Sequence, residues 1–123
     1  MPDAPRFLNS RPNLEVSDLD RALAFYVDVL GLPLRLRADE FALAVVGEET
    51  GCEIALLRGD SPHAASCYLN VVGVDELHAR CEAAGATFVS PLTTQPWGMR
   101  DFVVVDPDGN RLAIGERVAA AEE

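Results

Sequence analysis

The sequence has no apolar run long enough to cross a bilayer. Its longest purely apolar stretch is Phe41 to Val46, far short of the roughly 20 residues a spanning helix needs. The start, Met1-Pro2-Asp3-Ala4-Pro5-Arg6, lacks the basic region and apolar stretch of a secretory leader. These two absences predict a cytoplasmic protein without a membrane partner. Cysteine is sparse: Cys52, Cys67 and Cys81 are odd in number and form no CxxC. That excludes a disulfide framework and a zinc knuckle, and each cysteine reads as a small buried apolar residue. Positive charge is scarce too. A formal net charge of −10 repels phosphate backbones, so nucleic acid is not an expected partner. The same charge would attract a cationic ligand, or serve solubility alone. There is no nucleophile elbow, no HExxH and no phosphate-binding glycine loop; Gly31 and Gly85 read as helix ends.

What is present is one domain's worth of core. About half of the 123 residues are apolar, enough to fold as a single unit over 1–123. The chain repeats itself. The first unit, about 8–60, opens with a strand at Asn13-Leu14-Glu15-Val16. Ser17-Asp18 then caps a helix whose apolar positions, Leu19, Ala22, Leu23, Tyr26, Val27 and Leu30, share one face. Gly31 ends it and Pro33 follows. Leu34 and Leu36 alternate with Arg35 and Arg37 in a strand, and Phe41 to Val46 and Cys52 to Leu57 supply two more.

The second unit, about 66–117, repeats the order. Cys67 to Val72 reads as a strand. A helix follows from about Asp75 to Ala84, with Val74, Leu77, Cys81 and Ala84 on one side and Gly85 at its end. Strands near Thr87–Ser90, Asp101–Val105 and Arg111–Gly115 complete it, the last two joined by the turn Asp106-Pro107-Asp108-Gly109-Asn110. Phe7, Phe25 and Tyr26 read as core, and Val118 to Glu123 as a tail. The predicted class is α+β: two βαβββ modules forming an open, curled mixed sheet with a cleft on its concave side and helices outside.

Three segments then become recognisable. Val16-Ser17-Asp18-Leu19-Asp20-Arg21-Ala22-Leu23-Ala24-Phe25-Tyr26 with Leu30-Gly31, the stretch from Val74-Asp75-Glu76-Leu77 to Ala84-Gly85, and the Asp106–Asn110 turn together resemble the vicinal oxygen chelate superfamily of glyoxalases, bleomycin-resistance proteins and extradiol dioxygenases. The resemblance covers about residues 8 to 117 and implies the fold, not the chemistry. Enzymes of that superfamily place a divalent metal on His and Glu side chains from the first and last strands of each module. Here the matching positions are Arg11 (or Asn13, if the register slips), Ala55, Ser66 or Cys67, and Ala113. None is His or Glu. His63, in a loop, and His78, on the second helix facing away from the cleft, are not expected ligands. Glu53 shares the parity of Ala55 and could point into the cleft, but one carboxylate does not hold a catalytic metal. No cofactor and no catalytic residue are therefore expected.

Gln95-Pro96-Trp97-Gly98-Met99-Arg100-Asp101-Phe102 resembles the metal-free bleomycin-resistance proteins, in which this loop and strand border the drug groove. The resemblance implies a homodimer and a ligand site formed by Trp97, Met99, Phe102, Tyr68, Asn70, Asp39 and Phe41. Trp97 offers a π-surface for a flat heterocycle or cation, or else caps the core. Asp39 and Glu40 either meet a cationic tail or form an ordinary acidic turn. Tyr68 and Asn70 alternate on one strand face, and Met99 gives a pliable contact. Arg35 and Arg37 either reach a ligand or face solvent, Glu116 reads as a rim charge, and Pro2, Pro5 and Pro12 favour an extended N-terminal arm. The implied function is stoichiometric sequestration of a cationic or heterocyclic antibiotic. Two alternatives stand: a metal-dependent lyase or dioxygenase with ligands such as Glu53 and Cys67, and an accessory domain with no small ligand.

Overall fold

A computed structural model describes residues 5–6, 11–47, 51–60 and 64–118; the expectations for Phe7, His63, the Pro2 end of the arm and the tail beyond Val118 lie outside these. Eight strands and two helices run in the order β1 (Asn13–Val16), α1 (Leu19–Leu23), β2 (Leu34–Arg37), β3 (Phe41–Val45), β4 (Glu53–Arg58), β5 (Ser66–Asn70), α2 (Val74–Ala83), β6 (Thr87–Thr94), β7 (Met99–Val105) and β8 (Arg111–Arg117). They form two mixed four-stranded sheets, β1-β4-β3-β2 and β5-β8-β7-β6. In each, the strand before the helix runs parallel to the last strand of its module, and the remaining pairs are antiparallel. No ladder joins the two sheets among the described residues, so the assembly is open rather than a closed barrel.

Local chemistry sets the helix ends. The Asp18 carboxylate accepts a hydrogen bond from the Arg21 backbone N–H at 3.0 Å, a side-chain N-cap. From Ala24 to Val29 the helix widens into a π-helix, a feature that apolar spacing alone does not announce. This segment buries two successive residues, Phe25 and Tyr26. Helix α2 starts after Gly73, whose φ of 92° needs a glycine and which has no side chain to cap with. Glu116 of β8 supplies the cap instead: its Oε1 accepts from the backbone N–H groups of Gly73 and Val74 at 3.1 and 3.0 Å. Glu116 was expected at the rim; it is a helix cap donated by a neighbouring strand.

One core serves both modules. Leu14, Val16, Ile54 and Leu56 from the first sheet, and Leu69, Phe102, Val104, Leu112 and Ile114 from the second, bury together with Tyr26 and Cys81 from the helices. His78 lies against Phe88 and Phe102 with ring centroids 4.8 and 5.1 Å away, so it faces its own sheet rather than solvent. A polar clamp crosses this core. Asp106 accepts from the Tyr26 hydroxyl at 2.7 Å, from Asn110 Nδ2 at 2.8 Å, and from the backbone N–H groups of Asp108 and Asn110 at 2.9 Å each. Asn110 Nδ2 also donates to the Glu15 carbonyl, 3.0 Å away. Burial, then the Asp106 charge, push the Tyr26 hydroxyl far above its ordinary range, so it stays a proton donor.

Pro91 sits in β6, an edge strand with two register shifts. An edge position tolerates the missing N–H.

Removing the Tyr26 hydroxyl leaves the buried Asp106 carboxylate short of a donor. Tyr26→Phe should lower unfolding stability by about 1–3 kcal/mol. In urea titration this appears as a lower midpoint at unchanged slope. A midpoint equal to wild type would refute the importance of this bond.

Candidate ligand-binding site

Each sheet turns one face to the helices and leaves the other open. In β7 the buried residues are Phe102 and Val104, while Met99, Asp101 and Val103 keep partial exposure. The alternation of strand side chains therefore puts Met99, Asp101 and Val103 on the open face. In β5, Leu69 is buried and Ser66, Tyr68 and Asn70 are exposed. Register aligns Tyr68 with Ala113 and Val103, Asn70 with Gly115 and Asp101, and Met99 with Arg117. These cross-strand rows form one continuous surface.

Its polar centre is a short chain of hydrogen bonds. The Tyr68 hydroxyl donates to Asp101 Oδ2 at 3.0 Å, and Gln95 Nε2 donates to Asp101 Oδ1 at 3.0 Å. Burial, and then the Asp101 hydrogen bond, raise the Tyr68 pKa. Trp97 stands in the tight turn between β6 and β7, closed by a hydrogen bond from the Gly98 N–H to the Gln95 carbonyl at 3.1 Å. It is 68% exposed, so it does not cap the core. Between the two modules a cleft of about 480 Å³ is lined by Pro12, Val46, Cys52, Glu53, Tyr68 and Asn70, among others.

The first sheet's open face carries a charge cluster. Glu53, 14% exposed at its side chain, is hydrogen-bonded by Arg35 through both Nε and Nη2, and Arg11 Nη1 lies 3.7 Å from its Oε1. The Arg35 hydrogen bond holds Glu53 below the usual carboxylate range. Arg35 is thus engaged with Glu53, and Arg37 with Asp20 at 2.9 Å.

Of the seven expected contact residues, the structure puts Tyr68, Asn70 and Met99 on one open face, with Trp97 in the adjoining turn. Phe102 is a correction. It is 0% exposed and packs on His78 and Phe88, because its parity in β7 is opposite to that of Met99. Asp39, in the β2–β3 turn, and Phe41, the first residue of β3, belong to the other sheet; of the seven, only Tyr68 and Asn70 line the cleft. The cysteines also differ from expectation: Cys81 is buried, Cys67 half-buried and Cys52 exposed. Sequence reasoning quoted Asp101 and Gln95 within the Trp97 segment without assigning them. Their positions on either side of the hairpin turn are the signal that pairs them.

The superfamily's metal finds no donors here. Asn13 pairs with Ala55 and Tyr68 with Ala113; the positions matching the family's ligands, Arg11 or Asn13, Ala55, Ser66 or Cys67, and Ala113, hold no His, Asp or Glu. Among the described residues no group of three or more His, Cys, Asp or Glu side chains is placed to hold a metal ion. The residues do not fit the metal.

Comparison with known proteins agrees with this geometry. The profile of the Glyoxalase/Bleomycin resistance protein/Dioxygenase superfamily matches residues 10–114. A bleomycin resistance protein of Geobacillus stearothermophilus is 33% identical over 90% of this chain and 98% of its own length. A lactoylglutathione lyase of Haemophilus influenzae is 40% identical, over 60% of this chain and 63% of its own. The crystal structure of TioX from Micromonospora sp. ML1 superposes with a TM-score of 0.77 at 27% identity, covering 91% of this chain and all of that one.

The three thiols should report this burial order. Burial raises the Cys67 pKa and leaves less thiolate at neutral pH. With Ellman's reagent, Cys52 should react fast, Cys67 more slowly, and Cys81 only on unfolding. Cys52→Ser should delete the fast phase alone. A single phase for all three thiols in the native protein would contradict the placement.

Proposed function

Because the chain belongs to the Glyoxalase/Bleomycin resistance protein/Dioxygenase superfamily, we propose that it binds and sequesters a cytotoxic small molecule of the bleomycin type, without catalysis. One observation carries the reading. The open face of the second sheet offers exposed Tyr68 and Asn70 beside Met99, with exposed Trp97 in the adjoining turn, while the superfamily's metal positions hold no His, Asp or Glu. Such a surface has groups that hold a ligand, and it lacks the set of donors that a water-activating metal of this superfamily needs. Similarity to the bleomycin resistance protein supports it.

The mechanism is mass action. The protein keeps its ligand off the target as long as the dissociation constant lies below the toxic free concentration. A micromolar constant corresponds to about −8 kcal/mol. Stacking on Trp97 and contact with Tyr68 and Met99 supply apolar affinity. The net charge of −10 draws a cationic drug toward the protein. We place this activity in the cytoplasm.

We further propose that the working form is a homodimer with two grooves shared between subunits. Each sheet is covered by helices on one side only, and Leu34, Leu36, Tyr68 and Val89 are left exposed. A second copy would cover apolar surface that a monomer leaves wet. The lyase similarity favours a second reading, a metal enzyme with atypical ligands. Against it, Glu53 is already compensated by Arg35 and Arg11, and Cys67 packs toward the core.

Two measurements test this. Bleomycin added to the protein should quench Trp97 emission to saturation at about one drug per chain, at micromolar or lower concentration. By calorimetry the binding should weaken at least about fivefold in Trp97→Ala, since base-sized stacking contacts carry about 1–3 kcal/mol. Neither heat nor emission change would eliminate bleomycin as the ligand. Sedimentation equilibrium should give two chains per particle, and a strict monomer at tens of micromolar would remove the shared groove.

A further inference from the structure

The Tyr68–Asp101–Gln95 chain has a feature that holding the fold together does not require. Asp101 presents a carboxylate to the open face, and both of its oxygens are held by neutral donors. Among the described residues no cation pairs with it. Neither of the two arginines nearest to it in the sheet, Arg100 and Arg117, forms an ion pair with it. Arg100 Nε donates to Asp75 Oδ1 at 2.8 Å and its Nη1 to Thr94 Oγ1 at 2.9 Å. Arg117 turns its Nη1 toward the Gly98 turn. Glu53 on the other sheet is the contrast, because two guanidiniums flank it. Asp101 is therefore a fixed negative charge whose direction is set by hydrogen bonds while its charge stays uncompensated.

Gly115 makes the arrangement possible. It lies beside Asp101 in register. A Cβ there would sit 2.8 Å from Tyr68 Cζ and 2.9 Å from Asp101 Cβ, and closer still to the Tyr68 hydroxyl. Any side chain at this position would evict the tyrosine. With glycine, the Tyr68 ring crosses β8 and its hydroxyl reaches Asp101. Tyr68 is 43% exposed, so its side chain has open solvent to swing into. Once it swings, Asp101 Oδ2 loses its hydroxyl partner and is left on the open face of the sheet, next to the tyrosine that lines the cleft.

We propose that Asp101 selects the ligand: it receives a planar cation, an amidinium or protonated heterocyclic amine, in exchange for the Tyr68 hydroxyl, which acts as a removable lid. This rests on the reading of the open face as the ligand site. The exchange replaces a hydrogen bond from a neutral donor with one from a cation, so that both partners carry charge and the carboxylate is neutralised. A neutral isostere gains nothing comparable.

The test uses benzamidine and benzamide, which share shape and differ in charge, titrated into the full-length protein by NMR at fixed ionic strength. Benzamidine should bind about tenfold more tightly, with shifts centred on Tyr68, Asp101 and Met99. Asp101→Asn, which keeps hydrogen-bonding capacity at that position, should abolish the preference at an unchanged melting temperature. That control separates local recognition from the overall negative charge. Tyr68→Phe, which frees Oδ2, should tighten benzamidine severalfold. Equal affinities in the wild type, or a preference that survives Asp101→Asn, overturn the proposal; weaker benzamidine binding in Tyr68→Phe overturns the lid. A bleomycin titration run alongside separates the two ideas. Bleomycin binding unaffected by Asp101→Asn, with no amidine preference, defeats the Asp101 assignment and leaves sequestration standing. An Asp101-dependent amidine preference without bleomycin binding does the reverse.

Discussion

The buried carboxylate of Asp106 is the contact on which the rest of this molecule depends. At 3% exposure it would be costly without partners. It has four donors: a tyrosine hydroxyl from the first module, and an asparagine amide and two backbone N–H groups from its own turn. Asn110 carries the linkage on to the Glu15 carbonyl in β1 and accepts from the Ala65 N–H ahead of β5. The turn between β7 and β8 is thereby tied to the first helix and to the edge strands of both sheets. These are directional bonds in a core that is otherwise apolar. Apolar contact alone would tolerate sliding of one module on the other; a satisfied polar network specifies one arrangement.

That arrangement creates the site. The cleft takes walls from both modules, Glu53 and Pro12 from one and Tyr68 and Asn70 from the other, so its shape follows the angle the clamp imposes. The π-helical segment contributes at one remove. By widening at Ala24–Val29 it buries Phe25 and Tyr26 together, which brings the tyrosine hydroxyl to Asp106. Glu116 belongs to the same economy of parts. It leaves the end of β8 to cap α2, a helix with no N-cap side chain of its own. The sheet face that remains open carries no structural duty of comparable weight, and there the ligand chemistry can vary.

Much of the fold was readable along the chain. The repeat, both helices, the Asp18 cap, the Gly31 stop and the Asp106–Asn110 turn are local signals, each arising from residues a few positions apart, and all are present. Strand ends moved by a few residues, and β6 runs to Thr94, through Pro91, because an edge strand can bulge around a proline. Of the expected contact residues, Tyr68, Asn70 and Met99 share one open face and Trp97 stands in the adjoining turn, positions that alternation and the pattern of the Trp97 segment indicate, whereas Phe102 lies on the opposite, buried face. In Met-Arg-Asp-Phe-Val-Val-Val both alternating sets contain apolar residues, so periodicity cannot say which set meets the helices.

The division has one physical cause. Propensity, capping and turn chemistry act over a few residues, so the sequence by itself determined the order of elements, the two-fold repeat and the absence of metal donors at the superfamily's positions. Which side of β7 faces α2 depends on register and on packing against residues far away in the chain. The tertiary structure therefore decided that Phe102 enters the core and that Asp101 faces outward beneath Tyr68. It also decided that Glu53 is compensated by arginines from two other segments while Asp101 meets no cation among the described residues. Ion pairs and strand faces form between residues that only folding brings together, and the difference in charge between these two carboxylates is written at that level.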